Sequence, residues 1–261
     1  MSAAPILETQ ALECRFGGLR AVAALDMQIQ PGSITALIGP NGAGKSTVIN
    51  LLSGFLSPTS GRVMLGGRDV TCEPPHRLAR VGLVRTFQNG RLFQRLSVFE
   101  NSLVGSSSRV KSGFFDTVFR TRRFRSEVRA LEERARDYLK EFDLLADTDR
   151  LVAELPYGKQ RQVEMVRALV GAPSILLLDE PAAGLNSGEQ EVLSAYLRTL
   201  RQRGLTILLV EHHMGLVMRL ADHMVVLNFG KKIFEGTAAE TQKSPVVAEA
   251  YLGRRGRHAV M

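Results

Sequence analysis

The chain has 261 residues, 44% hydrophobic and 23% charged, which is the composition of a globular protein and excludes a disordered or fibrous one. Lys and Arg outnumber Asp and Glu by 34 to 26, and the resulting net charge of +8 suits anionic partners without choosing among nucleotide, anionic lipid and nucleic acid. Aromatics make up only 6% and Trp is absent, so little is available for stacking on nucleic-acid bases, and no nucleic-acid partner is expected. Cys14 and Cys72 cannot build a disulfide framework and read as reduced thiols of a cytoplasmic protein. Glu8 and Gln10 interrupt the apolar run near the N-terminus, so no signal peptide is expected. The longest aliphatic stretches, Ile34–Gly39 and Ile175–Leu178, fall far short of the roughly 18 apolar residues of a membrane span. Docking is then the expected route to any membrane process.

Residues 6–30 alternate apolar and polar, which predicts antiparallel strands around a turn at Gly17-Gly18, closed by Pro31-Gly32. Ser33–Ile38 reads as a short buried strand, followed by a Gly-rich turn and a helix near Lys45–Ser53. Gly61–Leu65 and Gly82–Thr86 read as further strands. A Ser/Gly-rich piece then leads into the basic run Arg120–Arg125, either a solvated face or a contact for anionic headgroups or another subunit. Val128, Leu131, Ala135, Tyr138, Phe142 and Leu145 recur at steps of three and four, the spacing of an amphipathic helix. From 156 onward helix and strand alternate. A helix is expected over 159–171, a strand over 174–179, and a helix over 187–203 with Ser187 and Gln190 as a capping box and Gly204 as its stop. Leu205–Val210 and Met224–Leu227 complete the strands. Strand–helix–strand repetition implies an α/β core with a parallel sheet, interrupted by a mostly helical insert at about 90–160.

The strongest local signal is Gly39-Pro40-Asn41-Gly42-Ala43-Gly44-Lys45-Ser46-Thr47. It matches G-x-x-x-x-G-K-[ST] and lies between an apolar strand and a helix, where a phosphate-binding loop has to be. Glycine lets backbone N–H groups converge on phosphate oxygens, and the helix N-terminus adds partial positive charge. In that loop Lys45 would reach the β- and γ-phosphates and Ser46 would ligate Mg²⁺. Such a loop needs an acid at the end of a second buried strand, and Ile175-Leu176-Leu177-Leu178-Asp179 supplies one. Glu180 follows, a carboxylate able to orient or deprotonate an attacking water.

Leu155-Pro156-Tyr157-Gly158-Lys159-Gln160-Arg161, followed by a helix and then by the strand ending in Asp179-Glu180, resembles the signature motif of ATP-binding cassette (ABC) ATPases. The other motifs occur in order over nearly the full chain. Phe16 resembles the aromatic that stacks on adenine, and Gln88 the glutamine that senses Mg²⁺ and the γ-phosphate. Ala183-Gly184-Leu185-Asn186 resembles the D-loop, and His212 the switch histidine; its neighbour His213 is the competing candidate from the residues alone. The resemblance implies one ABC ATPase domain over 1–261. Its P-loop core carries an N-terminal antiparallel β subdomain, an inserted helical subdomain at 90–160 and a C-terminal extension at 237–261. It also implies ATP held by Phe16, Gly39, Asn41, Gly42, Ala43, Gly44, Lys45, Ser46 and Thr47 of one subunit and by Tyr157, Gly158, Lys159 and Gln160 of a second. Mg²⁺ would sit on Ser46, Gln88 and Asp179, and catalysis would fall to Glu180, His212 and Gln88.

Two positions depart from the pattern. Pro156 stands where the family has a serine whose hydroxyl meets the γ-phosphate, and Asn186 where many members have Asp. Pro156 leaves the backbone N–H groups from Gly158 onward as donors. The stretches Phe16–Val22 and Arg85–Asn89, the long insert, Pro181–Asn186 and the ending Ala250-Tyr251-Leu252-Gly253 are similar to the ATPase subunits of branched-chain amino acid importers. That resemblance implies transmembrane permease subunits as partners, a second ATPase subunit (identical or paralogous), and indirectly a periplasmic solute-binding protein. It puts the chain on the cytoplasmic side of the inner membrane. The competing reading is a soluble ABC ATPase of translation or DNA repair, but such proteins carry two cassettes or a long coiled coil, and the insert has no sustained heptads. The Arg254, Arg255 and Arg257 tail reads as a frayed end.

Overall fold

Two hydrophobic patterns build two different sheets. The computed structural model describes residues 4–86, 92–105 and 121–252. Its contacts divide the chain into two units, Met1–Leu78 with Ile175–Met261, and Ala79–Ser174. The strands in chain order are β1 (Leu7–Phe16), β2 (Leu19–Ile29), β3 (Ile34–Ile38), β4 (Ser60–Leu65), β5 (Arg68–Asp69), β6 (Leu83–Arg85), β7 (Ile175–Asp179), β8 (Thr206–Val210), β9 (His223–Asn228) and β10 (Lys231–Gly236). The α-helices are α1 (Lys45–Leu52), α2 (Pro75–Arg80), α3 (Val98–Val104), α4 (Arg122–Glu141), α5 (Tyr157–Val170), α6 (Ser187–Gln202), α7 (Met214–Leu220), α8 (Ala238–Lys243) and α9 (Pro245–Leu252).

In the first unit the alternating stretch forms β1 and β2, antiparallel about Gly17-Gly18, within the sheet β2–β1–β4–β5. Leu7, Thr9, Leu12 and Cys14 of β1 are buried, while between them Gln10 and Ala11 are exposed and Glu8 and Glu13 half-buried. Beside the register shifts of this pair, Ala11 and Ala24 take φ of +45° and +47°, the irregular backbone that bends a strand. Every residue of β3, β7 and β8 is buried, as expected of parallel strands covered on both faces. They run parallel in the order β9–β3–β8–β7, and β10 is antiparallel at the outer side of β9. Ala36 and Ile38 of β3 pack with Val217, Met224, Val226 and Val247 in one buried cluster.

Each strand and helix expected in this unit is present, with ends shifted by one or two residues. β5, β10 and the short helices α2, α7, α8 and α9 were not anticipated, being too short for a hydrophobic period to declare itself. The capping box expected at Ser187 and Gln190 is one residue off. Asn186 is the N-cap of α6: its side chain accepts from the N–H of Glu189 at 3.0 Å, and the Glu189 carboxylate accepts from the N–H of Asn186 at 2.9 Å. Gln190 instead donates to the carbonyl of Leu185 at 3.0 Å.

In the second unit Ser97 and Glu100 form a capping box at the start of α3. α4 buries Ala135 and Leu139, and the apolar seam continues through Phe142 and Leu144. The Arg134 side chain of α4 donates to the carbonyl of Val170 at 3.1 Å, and Arg136 lies 4.8 Å over the ring of Phe99. Gly105, ending α3, lets the chain pass α5 closely: a Cβ there would lie 1.9 Å from the carbonyl oxygen of Arg167. The sequence puts Leu145 on the buried stripe of this helix, but it is 49% exposed. The helix ends at Glu141 and Asp143 takes φ +54°, which turns the chain and gives the buried place to Leu144. Arg122, Arg123 and Arg125 are exposed, with Arg123 3.5 Å from Glu127; Arg120 lies outside the described residues. No helix among the described residues is long and apolar enough to cross a membrane.

Candidate active site

β3 delivers the chain to Gly39 and α1 takes it up at Lys45, so the intervening loop must reverse within a few residues. Gly39, Gly42 and Gly44 take φ of +151°, +77° and +103°. Two of them also have no room for a side chain. A Cβ on Gly39 would lie 2.2 Å from the carbonyl oxygen of Leu227, and one on Gly44 2.5 Å from that of Ala21. The N–H of Ala43 donates to the carbonyl of Pro40 at 3.1 Å, and the carbonyl of Ala43 accepts from the N–H of Gly230 at 2.9 Å. The loop is thus tied to the β9–β10 turn. Helix α1 has no side-chain cap and no acidic residue in its first turn, which leaves its N-terminal N–H groups and dipole to an anion.

The Lys45 ammonium is buried and donates to the carbonyls of Gly39 at 2.7 Å and Pro40 at 3.1 Å. Burial pushes its pKa down, and the carboxylates of Glu180 and Asp179 oppose that shift. Asn41, Gly42 and Ser46 are exposed, Thr47 is half-buried and Ala43 is buried. Phe16 ends β1 and is 51% exposed, so its ring face is accessible to a planar partner.

The acids sit at the C-terminal ends of the parallel strands, where ligands of open α/β sheets bind. Asp179 is the buried last residue of β7. Glu180 takes φ +48°, a left-handed conformation rare for a residue with a side chain, and its N–H donates to the carbonyl of Val210 at 2.9 Å. His212 Nδ1 lies 3.5 Å from Glu180 Oε1. The Ser46 hydroxyl and the Asp179 carboxylate are hard oxygen donors, suited to Mg²⁺ completed by phosphate and water. No group of three or more His, Cys, Asp or Glu among the described residues could cage a metal on its own. Gln88 lies outside the described residues.

Sequence reasoning passed over Glu211. Its carboxylate is 1% exposed and accepts from the N–H of Ala182 at 3.0 Å through one oxygen, and from those of His212 and His213 at 3.1 and 3.3 Å through the other. The available signal was an acid directly after the apolar run of β8, beside the histidine that drew attention.

The signature residues belong to the second unit. Pro156 is the N-cap of α5 and makes no side-chain cap hydrogen bond, so the hydroxyl missing from the sequence is not replaced from within the helix. Tyr157 is 47% exposed and its hydroxyl accepts from Arg161. Lys159 donates to Asp147 at 2.6 Å, and Gln160 to the carbonyl of Leu155 at 2.9 Å. These side chains are committed to their own unit, which leaves the backbone N–H groups of the first turn, Gly158 among them, as anion donors.

A family model described as ABC transporter matches residues 22–183, from β2 through the P-loop and the α5 helix to the turn after β7. The chain belongs to the ABC transporter family. This cassette is 43% identical over 250 residues to the high-affinity branched-chain amino acid transport ATP-binding protein BraF of Pseudomonas aeruginosa, covering 95% of this chain and 98% of that protein. It is 42% identical, with the same coverage, to the high-affinity branched-chain amino acid transport ATP-binding protein LivG of Escherichia coli strain K12. A crystal structure of the ADP conformation of MJ1267, an ATP-binding cassette of an ABC transporter, superposes with a TM-score of 0.83 at 30% identity, covering 96% of this chain and 100% of that one. The α/β cassette fold inferred from the motifs is therefore the observed one. The reading as an ATPase of translation or DNA repair finds no support in these relatives.

Proposed function

We propose that this cassette is the ATP-hydrolysing subunit of an importer for branched-chain amino acids or a related small polar solute. The observation that carries the proposal is the pairing of Glu180 with His212 just past Asp179 at the strand ends, with the buried Lys45 of the P-loop in the field of both carboxylates. The relatives' transport of branched-chain amino acids supports the solute class.

In this reading the P-loop N–H groups and Lys45 hold the β- and γ-phosphates, and Ser46 and Asp179 would hold Mg²⁺. When bound, the ion neutralises charge on the phosphate oxygens. Glu180 orients a water and takes its proton as the water oxygen bonds to γ-phosphorus and the β–γ bridging oxygen leaves with ADP. His212 holds Glu180 and the γ-phosphate in register, and the family resemblance gives Gln88 the role of a further ligand that would hold the ion. The N-terminus of α5 on a second cassette, presenting Tyr157, Gly158, Lys159 and Gln160, completes the site, so ATP favours a closed pair and hydrolysis releases it. The 90–160 insert would take a short cytoplasmic helix of the permease. A periplasmic binding protein would choose the solute, with the cassette peripheral to the cytoplasmic face of the membrane.

The test is Glu180→Gln. It removes the base while keeping shape, so ATP affinity stays within about twofold, turnover falls on the order of a hundredfold or more, and light scattering finds dimers locked by ATP. Wild-type turnover in that variant would remove Glu180 from the role.

A further inference from the structure

We infer that Glu211 is a positioning residue of the ATPase, and that its buried carboxylate sets the relative placement of Glu180 and His212. The inference rests on the roles given above to those two residues. The two loops that carry them leave adjacent parallel strands, β7 and β8. Glu180 sits in a left-handed conformation, φ +48°, which persists in a side-chain-bearing residue only where its surroundings over-determine it. Within the loop the N–H of Ala183 donates to the carbonyl of Glu180 at 3.1 Å, and two bonds tie the loop to β8 and its end, from the N–H of Glu180 to the carbonyl of Val210 and from the N–H of Ala182 to Glu211 Oε1. The first is strand backbone, and the second depends on one side chain.

The other Glu211 oxygen does a parallel job on the histidine loop. It accepts from the N–H groups of His212 and His213, at the entry to α7, whose N-cap His213 makes no side-chain cap bond. One buried carboxylate therefore spans Ala182, two residues past the base, and His212 itself, with four lone-pair sites facing three N–H donors. A carboxylate can do this because both its oxygens only accept. An isosteric amide cannot, since whichever way it turns an NH₂ group faces backbone N–H donors. The exposed His212 imidazole, 3.5 Å from Glu180 Oε1, is free to meet a phosphate because its backbone, not its ring, is what Glu211 anchors.

The test compares Glu211→Gln and Glu211→Asp with wild type and with His212→Ala, using the full chain, assembled with its permease where turnover requires it. Glu211→Gln is expected to lower kcat on the order of tenfold to a hundredfold, a part of what a general base contributes, while ATP affinity changes less than about threefold. In the His212→Ala background it should cost clearly less than alone, the remainder reporting the Glu180 loop, since residues acting through one unit are not additive. Amide hydrogen exchange should speed up at Ala182, His212 and His213 and remain unchanged in β3 and α1. Glu211→Asp keeps the charge with a shorter reach and covers the case in which the amide variant does not fold; it should lose protection at Ala182 first. The inference is overturned if kcat is untouched, if kcat and ATP affinity fall together, or if the effect adds fully to that of His212→Ala. Should Glu180→Gln and His212→Ala themselves retain turnover, the assignment of the active site fails instead.

Discussion

Gly39→Ala probes how tightly the first turn of the P-loop is built. The added Cβ would lie 2.2 Å from the carbonyl oxygen of Leu227, where ordinary contact begins at 3.4 Å, so it is about 1.2 Å too close. Leu227 cannot yield: it belongs to β9, which is paired with β3 on one side and β10 on the other. The loop must move, and the carbonyl of Gly39 moves with it, away from the Lys45 ammonium that it accepts from at 2.7 Å. Overpacking of this kind costs about 1–3 kcal/mol and the glycine-favouring φ about 1–3 kcal/mol, so a loss of about 2–6 kcal/mol is expected. Gly66→Ala is the control. It shares a positive φ, +55°, but nothing lies within 4 Å of its added Cβ, so it should cost only about 1–2 kcal/mol. Urea denaturation of both variants without nucleotide separates steric from dihedral cost, and titration with a fluorescent ATP analogue should find Gly39→Ala at least about tenfold weaker, or about 1.4 kcal/mol. If Gly39→Ala is no less stable than Gly66→Ala, the close packing of the loop against β9 is not what fixes it, and the argument fails.

Lys45→Ala removes the cation that the loop surrounds and should weaken ATP binding by tenfold or more in the same titration; unchanged affinity would count against the P-loop assignment. Asp147, buried, accepts from Lys159 at 2.6 Å and Arg150 at 2.8 Å, and the hydrogen bond from Lys159 leads the influences that hold its carboxyl below the ordinary carboxylate range. Because the folded-state pKa is depressed, the stabilisation is fully present above the unfolded value of about 3.9 and is lost as pH falls through the folded one. Asp147→Asn should cost about 1–2 kcal/mol at neutral pH, discounted because both partners are well exposed, with the gap from wild type closing below about pH 4 in urea melts. Asn186→Ala should cost about 1 kcal/mol through loss of the α6 cap, and Asn186→Asp should remain within about 0.5 kcal/mol of wild type, as read by thermal denaturation.

Much of this protein was legible because its chemistry is local. The loop from Gly39 to Thr47 announces itself, since glycines at fixed spacing before a Lys and a hydroxyl answer a requirement of backbone and phosphate geometry that no distant residue can meet. Strand–helix–strand repetition declared a parallel sheet, and the largely apolar β3, β7 and β8 fit strands covered on both faces. The order of motifs gave the family, and the resemblance proposes roles for Gly158, Gln88 and His212 that spacing alone could not suggest. Where the sequence misled, the deciding energy was non-local or within a single turn. Leu145 has the right period for the α4 stripe, but Asp143 turns the chain and Leu144 takes the buried place. Asn186 and Ser187 are both good caps, and the choice fell to the residue whose partner three positions on is Glu189. Glu211 was invisible because its meaning lies in Ala182, 29 residues earlier in the chain. The sequence by itself determined the phosphate loop, the sheet type and the family, through residues that act on their neighbours. Only the tertiary structure decided that one buried carboxylate joins the loops after β7 and β8, because a hydrogen bond between separate strands exists only after the sheet has brought their ends together.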